Sequence, residues 1–120
     1  MCEIIFYEDA QGNCPLGELI DYLDSCAGRS KDSRIQLKQI MFHLDLLERV
    51  GTRCPAEYVK HIQDDIWELR PGNNRILFFG WKGNKFVLLH SFRKTTNQTP
   101  RSEIQQAQRE LTDWTNRFGY

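Results

Sequence analysis

Residues 66–94 read IWELRPGNNRILFFGWKGNKFVLLHSFRK, a run built mostly from strand-forming side chains. Two groups of turn-forming residues, Pro71–Asn74 and Gly83–Asn84, divide it. From Ile62 onward the hydrophobic period is two, which is typical of strands. We therefore predict a meander of three antiparallel strands: Ile62–Arg70, Arg75–Trp81 and Lys85–Phe92.

Other elements are predicted on the N-terminal side of this meander. The apolar run Glu3–Tyr7 indicates a first strand. Apolar residues at helical spacing then predict one helix from Cys14–Pro15 to Ala27–Gly28 and a longer one over Lys31–Val50. The buried stripe of the longer helix is expected to consist of Leu37, Ile40, Met41, Leu44 and Leu47.

A last helix is predicted after the meander. It begins at Thr99–Pro100, because Thr caps helices well and Pro fits the first turn. Apolar residues then recur every three or four positions, as on one buried face. We therefore predict a single α+β domain over residues 1–120. Its small twisted antiparallel sheet consists of the N-terminal strand and the meander, packed by two N-terminal helices, with an amphipathic helix at the C-terminal end.

The composition is that of an ordinary globular domain. Of the 120 residues, 40% are hydrophobic and 27% are charged. No apolar run approaches the roughly 18 residues of a membrane span, and the N-terminus carries acids where a secretory signal carries Lys or Arg. We therefore expect a cytoplasmic protein with no membrane contact. The four cysteines, Cys2, Cys14, Cys26 and Cys54, do not lie at the spacing of metal ligands from each other or from a histidine. We therefore expect reduced thiols, no metal ion and no other cofactor.

The formal net charge is zero, but the charges are unevenly distributed along the chain. Residues 1–65 carry a net charge of −5 and residues 66–120 a net charge of +5. Between Glu68 and Glu103 lie 34 residues with no acid and seven bases. Aromatic residues are interleaved with these bases, which favours an anionic partner over a merely solvated face.

The turns set the register of the predicted sheet. A four-residue first loop and a two-residue second turn would place Trp67 opposite Phe78 and Phe92 opposite Arg75. One face of the sheet then faces the first two helices and collects Trp67, Leu69, Ile76, Phe78, Val87 and Leu89. The other face collects Glu68, Arg70, Arg75, His90 and Phe92, with Lys94 in phase.

The second face combines residue types that suit RNA. Guanidinium groups bind phosphate oxygens through two parallel hydrogen bonds, an exposed ring stacks on an unpaired base, and His transfers protons near neutral pH. Each residue also has a structural interpretation: His90 as a buried, hydrogen-bonded histidine, Phe92 as core, and Arg70 and Arg75 as ion-pair partners of Glu68. Taken together, in a window without other acids, they favour a site for a phosphate backbone.

Several short motifs in this half resemble the RelE/ParE superfamily of toxins, and in particular its phage-associated HigB-type branch. They are Glu68-Leu69-Arg70 at a strand end, Arg75-Ile76 at a strand start, Phe92-Arg93-Lys94-Thr95 and Thr99-Pro100 before a helix that contains Ala107. The match covers residues 62 to 111, and the first 60 residues agree in the order of elements. Three positions depart from the family pattern: Asn74, Thr95 and Gln98.

The resemblance implies the toxin of a type II toxin–antitoxin pair. Such proteins have a small twisted antiparallel sheet packed by two helices, and they generally cleave mRNA on the translating ribosome. The expected partners are a small antitoxin, often with a helix-turn-helix domain, together with the ribosome and mRNA. By position, Arg70, Arg75 and Lys94 match the basic site residues of the family, and Phe92 matches its motif aromatic.

The predicted activity is that of a metal-independent endoribonuclease. We expect Arg70 and Arg75 to bind the phosphate, and Lys94 to stabilise charge and donate a proton. His90, or failing it Glu68, is the candidate general base. The predicted RNA contacts are stacking of a base on Phe92 and backbone contacts from Arg93, Lys82 and Lys85.

Two other functions are consistent with the same sequence. One is a non-enzymatic inhibitor of a protein target, as in the ParE branch, which acts on DNA gyrase. The other is a toxin-derived domain that binds its partner but has lost activity, which the Thr at position 95 favours. Phe92-Arg93-Lys94 and His90 favour the nuclease.

Overall fold

The structure, a computed structural model, describes all 120 residues as one mixed sheet with three helices. The strands are β1 (Glu3–Phe6), β2 (Val59–Gln63), β3 (Ile66–Leu69), β4 (Asn74–Trp81) and β5 (Lys85–Arg93); the helices are α1 (Pro15–Cys26), α2 (Lys31–Val50) and α3 (Arg101–Phe118). The strand order is β1-β5-β4-β3-β2. Strands β2 to β5 form an antiparallel meander. Helices α1 and α2 carry the chain from β1 across the sheet to β2 at the opposite edge, and the meander then returns to β1, which pairs in parallel with β5.

The prediction of one strand over Ile62–Arg70 is wrong in one respect. The segment from Val59 to Leu69 is a hairpin of β2 and β3, which turns at Asp64 and Asp65. Asp64 has a φ of 52°, in the left-handed region that Asp tolerates better than most residues. The Asp64-Asp65 pair is therefore the turn signal that the hydrophobic pattern concealed.

The β4–β5 hairpin combines two deviations from the predicted register. Trp81 pairs with Lys85, so the turn has three residues rather than two. A bulge at Leu89 then takes up one extra residue, since Leu77 pairs with His90 but Phe78 pairs with Leu88. The two shifts cancel, and the predicted pairing of Arg75 with Phe92 is confirmed.

The bulge also changes which face some residues occupy. Val87 and Leu89, predicted to face α1 and α2, lie on the other face and pack against α3. Both faces of the sheet are buried, in two core clusters. The first contains Leu16, Leu23, Ile40, Leu44, Leu47, Val59, Leu69, Ile76, Phe78 and Leu88. The second contains Tyr7, Ile66, Leu77, Phe79, Val87, Leu89, Ala107 and Trp114.

Helix α2 has the bounds that its sequence predicts, but its buried stripe differs. Met41 is half exposed, and His43 is buried instead, with Nδ1 2.8 Å from the carbonyl oxygen of Gln39. Ser30 caps α2 by accepting a hydrogen bond from the backbone N–H of Ser33 at 3.1 Å. The four cysteines are unpaired, no group of side chains has the make-up of a metal site, and none of the helices combines the length and hydrophobicity needed to cross a membrane.

Candidate active site

The residues of the candidate site meet at one end of the sheet. Strand β3 ends there, β4 begins there, and β5 ends there before the chain runs through residues 94–100 into α3. A small cleft lies between these segments, which we call the Arg75 cleft. It is lined by Glu68, Arg75, Phe92, Lys94 and residues 95–100.

Glu68 is the only carboxylate in the lining of the cleft, and it is 1% exposed. Its Oε1 accepts a hydrogen bond from Nε of Arg70 at 3.1 Å and lies 3.9 Å from Nε of Arg75. Its Oε2 accepts a hydrogen bond from the hydroxyl of Thr99 at 2.6 Å. A buried carboxylate is costly unless it is paired and hydrogen-bonded, so these contacts hold Glu68 in one position.

Thr99 lines the cleft, although its position before Pro100 predicts a helix cap. Helix α3 begins at Arg101, with Pro100 at the capping position and no side-chain cap. The Thr99 hydroxyl donates to Glu68 instead. No sequence pattern predicts this contact, because it joins residues 31 positions apart.

Arg75 is largely buried beside Glu68. Its Nη1 donates hydrogen bonds to the carbonyl oxygens of Gly72 and Asn74, both at 2.8 Å. Burial first, and then the charge of Arg70, lower the pKa of Arg75 from its usual value, although an arginine stays charged at neutral pH. Its Nη2 donates no hydrogen bond within the protein, and the residue lines the cleft.

Lys94 and Arg70 add two more cations to this end of the sheet. The backbone N–H of Lys94 donates to the carbonyl oxygen of Asn73 at 2.8 Å, which fixes the start of the segment. Its Nζ has one long contact, 3.3 Å to Oδ1 of Asn97. Three cations therefore surround one carboxylate that is already paired, and the surplus positive charge suits an anion.

His90 lies beneath the cleft rather than in its lining. It is 3% exposed, with Nδ1 2.6 Å from Glu110 and Nε2 2.9 Å from Glu103, both on α3. Burial opposes the charged imidazole, but the hydrogen bonds and charges of Glu110 and Glu103 outweigh it and raise the pKa of His90 above its usual value. Neither ring nitrogen is free to accept a proton in this arrangement.

Phe92 belongs both to the core and to the lining of the cleft. Its ring is half-buried, packs against the α3 core cluster and lies 6.3 Å from the His90 ring. One part of the same side chain lines the Arg75 cleft. The site is thus built on the edge of a core.

Three of the predicted RNA-binding residues are not brought into the cleft. Lys82 and Lys85 lie at the opposite end of β4, about 23 Å along an eight-residue strand. There Nζ of Lys82 donates to the carbonyl oxygen of Phe118 at 3.1 Å. Arg93 is close to the cleft in the chain but lies on the other face of the sheet, paired with Asn74.

One family model matches this chain. It describes "Phage derived protein Gp49-like (DUF891)" and matches residues 30–112, which include α2, the meander, every residue of the Arg75 cleft and most of α3. No curated protein is significantly similar to the chain. The Gp49-like proteins are a RelE/ParE-like toxin family, so the resemblance is confirmed at that level. The matched region is more than half of the sequence, and the chain therefore belongs to the family of Gp49-like phage-derived proteins.

Proposed function

We propose that the protein is the toxin of a type II toxin–antitoxin pair, of the HigB type, and that it cleaves mRNA on the translating ribosome. One observation carries this proposal: Arg75, whose Nη2 donates no hydrogen bond within the protein, and Lys94 both line a cleft whose only carboxylate is already paired. Such a cleft attracts a phosphate group. Membership of a RelE/ParE-like toxin family supports the same function.

The reaction needs no metal ion. A ribose 2′-hydroxyl attacks the adjacent phosphorus, and the bond from phosphorus to the 5′-oxygen of the next nucleotide breaks. The products are a 2′,3′-cyclic phosphate and a 5′-hydroxyl. Arg75 and Lys94 stabilise the charge that develops on the phosphate oxygens, and Lys94 donates a proton to the departing 5′-oxygen.

The 2′-hydroxyl proton needs an acceptor, and the geometry favours Glu68 over His90. Glu68 lines the cleft, and a carboxylate has lone pairs beyond those used by Arg70 and Thr99. His90 is enclosed by Glu103 and Glu110, so it would have to lose one of these partners first. We therefore assign proton removal to Glu68, and a structural role to His90, which joins β5 to α3.

An antitoxin would neutralise such a site by covering its charge. The window between Glu68 and Glu103 has no acid, so an acidic segment of a small partner with a helix-turn-helix domain is suited to it. Both proteins would then act in the cytoplasm, where the ribosome is.

The decisive experiment substitutes Lys94, because its side chain makes one weak contact and its loss should not unfold the protein. In a purified translation system, the Lys94→Ala variant should cleave ribosome-bound mRNA at least about 100-fold more slowly than the wild type. Lys38→Ala on the exposed side of α2 is the matched control and should cleave at the wild-type rate.

Two results would contradict the proposal. One is a Lys94→Ala variant that cleaves as fast as the wild type. The other is a wild type that leaves mRNA intact but stops DNA replication first when expressed, which would favour a ParE-like inhibitor of a protein target.

A further inference from the structure

A second and larger groove lies on the other face of the same sheet end. It has a volume of about 610 Å³ and runs between α1, the first turns of α2 and the ends of β4 and β5. We call it the α1–α2 groove. Its volume falls within the range of small-ligand sites, roughly 300–1,000 Å³. Phe92 is the only residue that lines both this groove and the Arg75 cleft.

A chain of hydrogen bonds fixes the polar floor of this groove. Asp32 Oδ2 accepts from Nε2 of Gln36 at 2.6 Å, so the Gln36 oxygen faces inward and accepts from Nδ2 of Asn74 at 3.0 Å. Oδ1 of Asn74 is thereby directed away from Gln36. The residue is 2% exposed, yet this oxygen accepts no hydrogen bond and is not sealed from solvent. It is an oriented acceptor that the protein leaves unused.

The other lining groups suit a flat polar ligand. Hydroxyl groups of Ser33 and Ser91 line the groove and make no side-chain hydrogen bond within the protein. At the rim, Tyr22 is 64% exposed although it is a large aromatic side chain. Arg93 and Asp32 contribute one charge of each sign, so the groove as a whole favours an uncharged group rather than a phosphate.

The groove and the Arg75 cleft adjoin each other across the end of the sheet. Asn74 lines the groove and its neighbour Arg75 lines the cleft, because consecutive strand residues face opposite sides. Phe92 lines both. An RNA strand whose phosphate lies at Arg75 therefore has its neighbouring nucleotide beside the α1–α2 groove.

We propose that the α1–α2 groove binds one unpaired nucleobase of the RNA strand, next to the phosphate held in the Arg75 cleft. The base stacks on Tyr22, and its polar edge is hydrogen-bonded by Oδ1 of Asn74 and by the hydroxyls of Ser33 and Ser91. This inference rests on the proposed function for the position of the strand. The side chains that would select the base lie on α1, α2 and the ends of β4 and β5, and none of them takes part in the proposed cleavage reaction.

A binding experiment tests the groove without any cleavage. Nucleoside 5′-monophosphates are added to isotope-labelled protein, and the amide signals are followed by NMR. We expect shifts at Tyr22 and at the side-chain amides of Asn74 and Gln36, and no such shifts with ribose 5-phosphate. Tyr22→Ala should weaken binding at least about fivefold, since stacking on one aromatic ring has an effect of that order. Tyr120→Ala, which removes another exposed tyrosine that does not line the groove, should not change binding.

A cleavage experiment tests the same groove in function. Cleavage sites of the wild type and of Tyr22→Ala are mapped on ribosome-bound mRNA, and the variant should lose preference for the base next to the cut. The inference would be overturned if Tyr22→Ala kept the base preference of the wild type and if nucleotides left the NMR signals of the groove residues unchanged. Cleavage by the wild type would uphold the proposed function even then. Equal shifts with ribose 5-phosphate would also overturn it. If the wild type cleaves no RNA, the nucleotide titration still decides whether the groove binds a base.

Discussion

At the scale of single residues, Arg75 combines two roles that the sequence could not separate. It was predicted to lie on an exposed polar face, but it is 8% exposed and its Nη1 holds the carbonyl oxygens of Gly72 and Asn74. One terminal nitrogen therefore supports the turn between β3 and β4, and the other makes no hydrogen bond within the protein. The same side chain contributes to stability and to the proposed chemistry.

We predict that Arg75→Ala loses both properties. Cleavage should fall by about 100-fold or more, because a donor to the developing charge is lost. The free energy of unfolding should also fall by about 1–3 kcal/mol, because two carbonyl oxygens lose their donor. Urea unfolding and cleavage by the folded fraction measure the two effects separately. A variant of wild-type stability would show that the turn does not depend on Arg75.

The two candidates for the general base can be distinguished by isosteric variants. Glu68→Gln should lower kcat by about 100-fold, because an amide oxygen does not take up the proton. His90→Gln should lower the free energy of unfolding, while the folded fraction keeps its rate. The opposite pattern, with a stable but slow His90→Gln, would return the role of general base to His90.

At the scale of secondary-structure elements, α3 is tied to the sheet by one buried imidazole. His90 on β5 lies between Glu103, in the first turn of α3, and Glu110, seven residues further along the helix. Gln106 donates to Oε2 of Glu110 at 3.2 Å. The Phe92 ring covers one side of this cluster. Two carboxylates facing one imidazole favour its protonated form, and the contact therefore depends on pH.

We predict that the protein becomes less stable as pH rises above neutrality. The pKa of His90 is raised in the folded state, so its contribution to stability is complete below its ordinary value of 6.5 and is lost as pH rises through the raised value. Unfolding followed by the fluorescence of Trp114, which is buried on α3, measures this loss. In Glu103→Gln the loss should be smaller and occur at lower pH. The exposed Asp45→Asn on α2 is the control and should keep the wild-type profile. A wild type whose stability is constant from about pH 6 to 9 would contradict the assignment.

At the scale of the whole molecule, the fold separates charge. The acidic first 65 residues form β1, α1, α2 and β2, while the basic remainder supplies the three cations of the cleft end. The net charge of zero therefore conceals a strongly polar molecule. Its basic end is suited to an anionic polymer and its acidic helices are not.

We predict that binding to ribosomes is strongly salt-dependent. The association rate should fall steeply between about 0.05 and 0.5 M salt, because exposed charges are screened beyond a Debye length. Stopped-flow measurements with purified ribosomes check this prediction. Lys94→Ala should show a shallower dependence than the wild type, and Lys38→Ala should match the wild type. A rate that does not change with salt would argue against a phosphate-backbone contact.

The sequence by itself determined the α+β class, the bounds of α2 and the order of elements, except that the predicted meander lacked the separate strand β2. These features depend on the spacing of hydrophobic residues along the chain and on turn-forming residues, both of which can be recognised from neighbouring residues in the sequence. The pairing of Arg75 with Phe92 was also predicted correctly. The structure differs from the predicted hairpin in two ways, a three-residue turn and the bulge at Leu89, and their effects on this pairing cancel. Four residues of the Arg75 cleft were accordingly predicted as site residues, namely Glu68, Arg75, Phe92 and Lys94, whereas residues 95–100 were not.

Only the tertiary structure decided what those residues do. The parallel pairing of β1 with β5 depends on the path of the chain through α1 and α2, and the face of Val87 and Leu89 depends on the register shifts in the β4–β5 hairpin. The enclosure of His90 depends on α3, which covers the second face of the sheet. A side chain on a strand points to one of two faces, and its sequence does not tell whether that face meets solvent or a helix. The contacts of Glu68 with Thr99 and of His90 with Glu110 join distant residues, so no local pattern contains them.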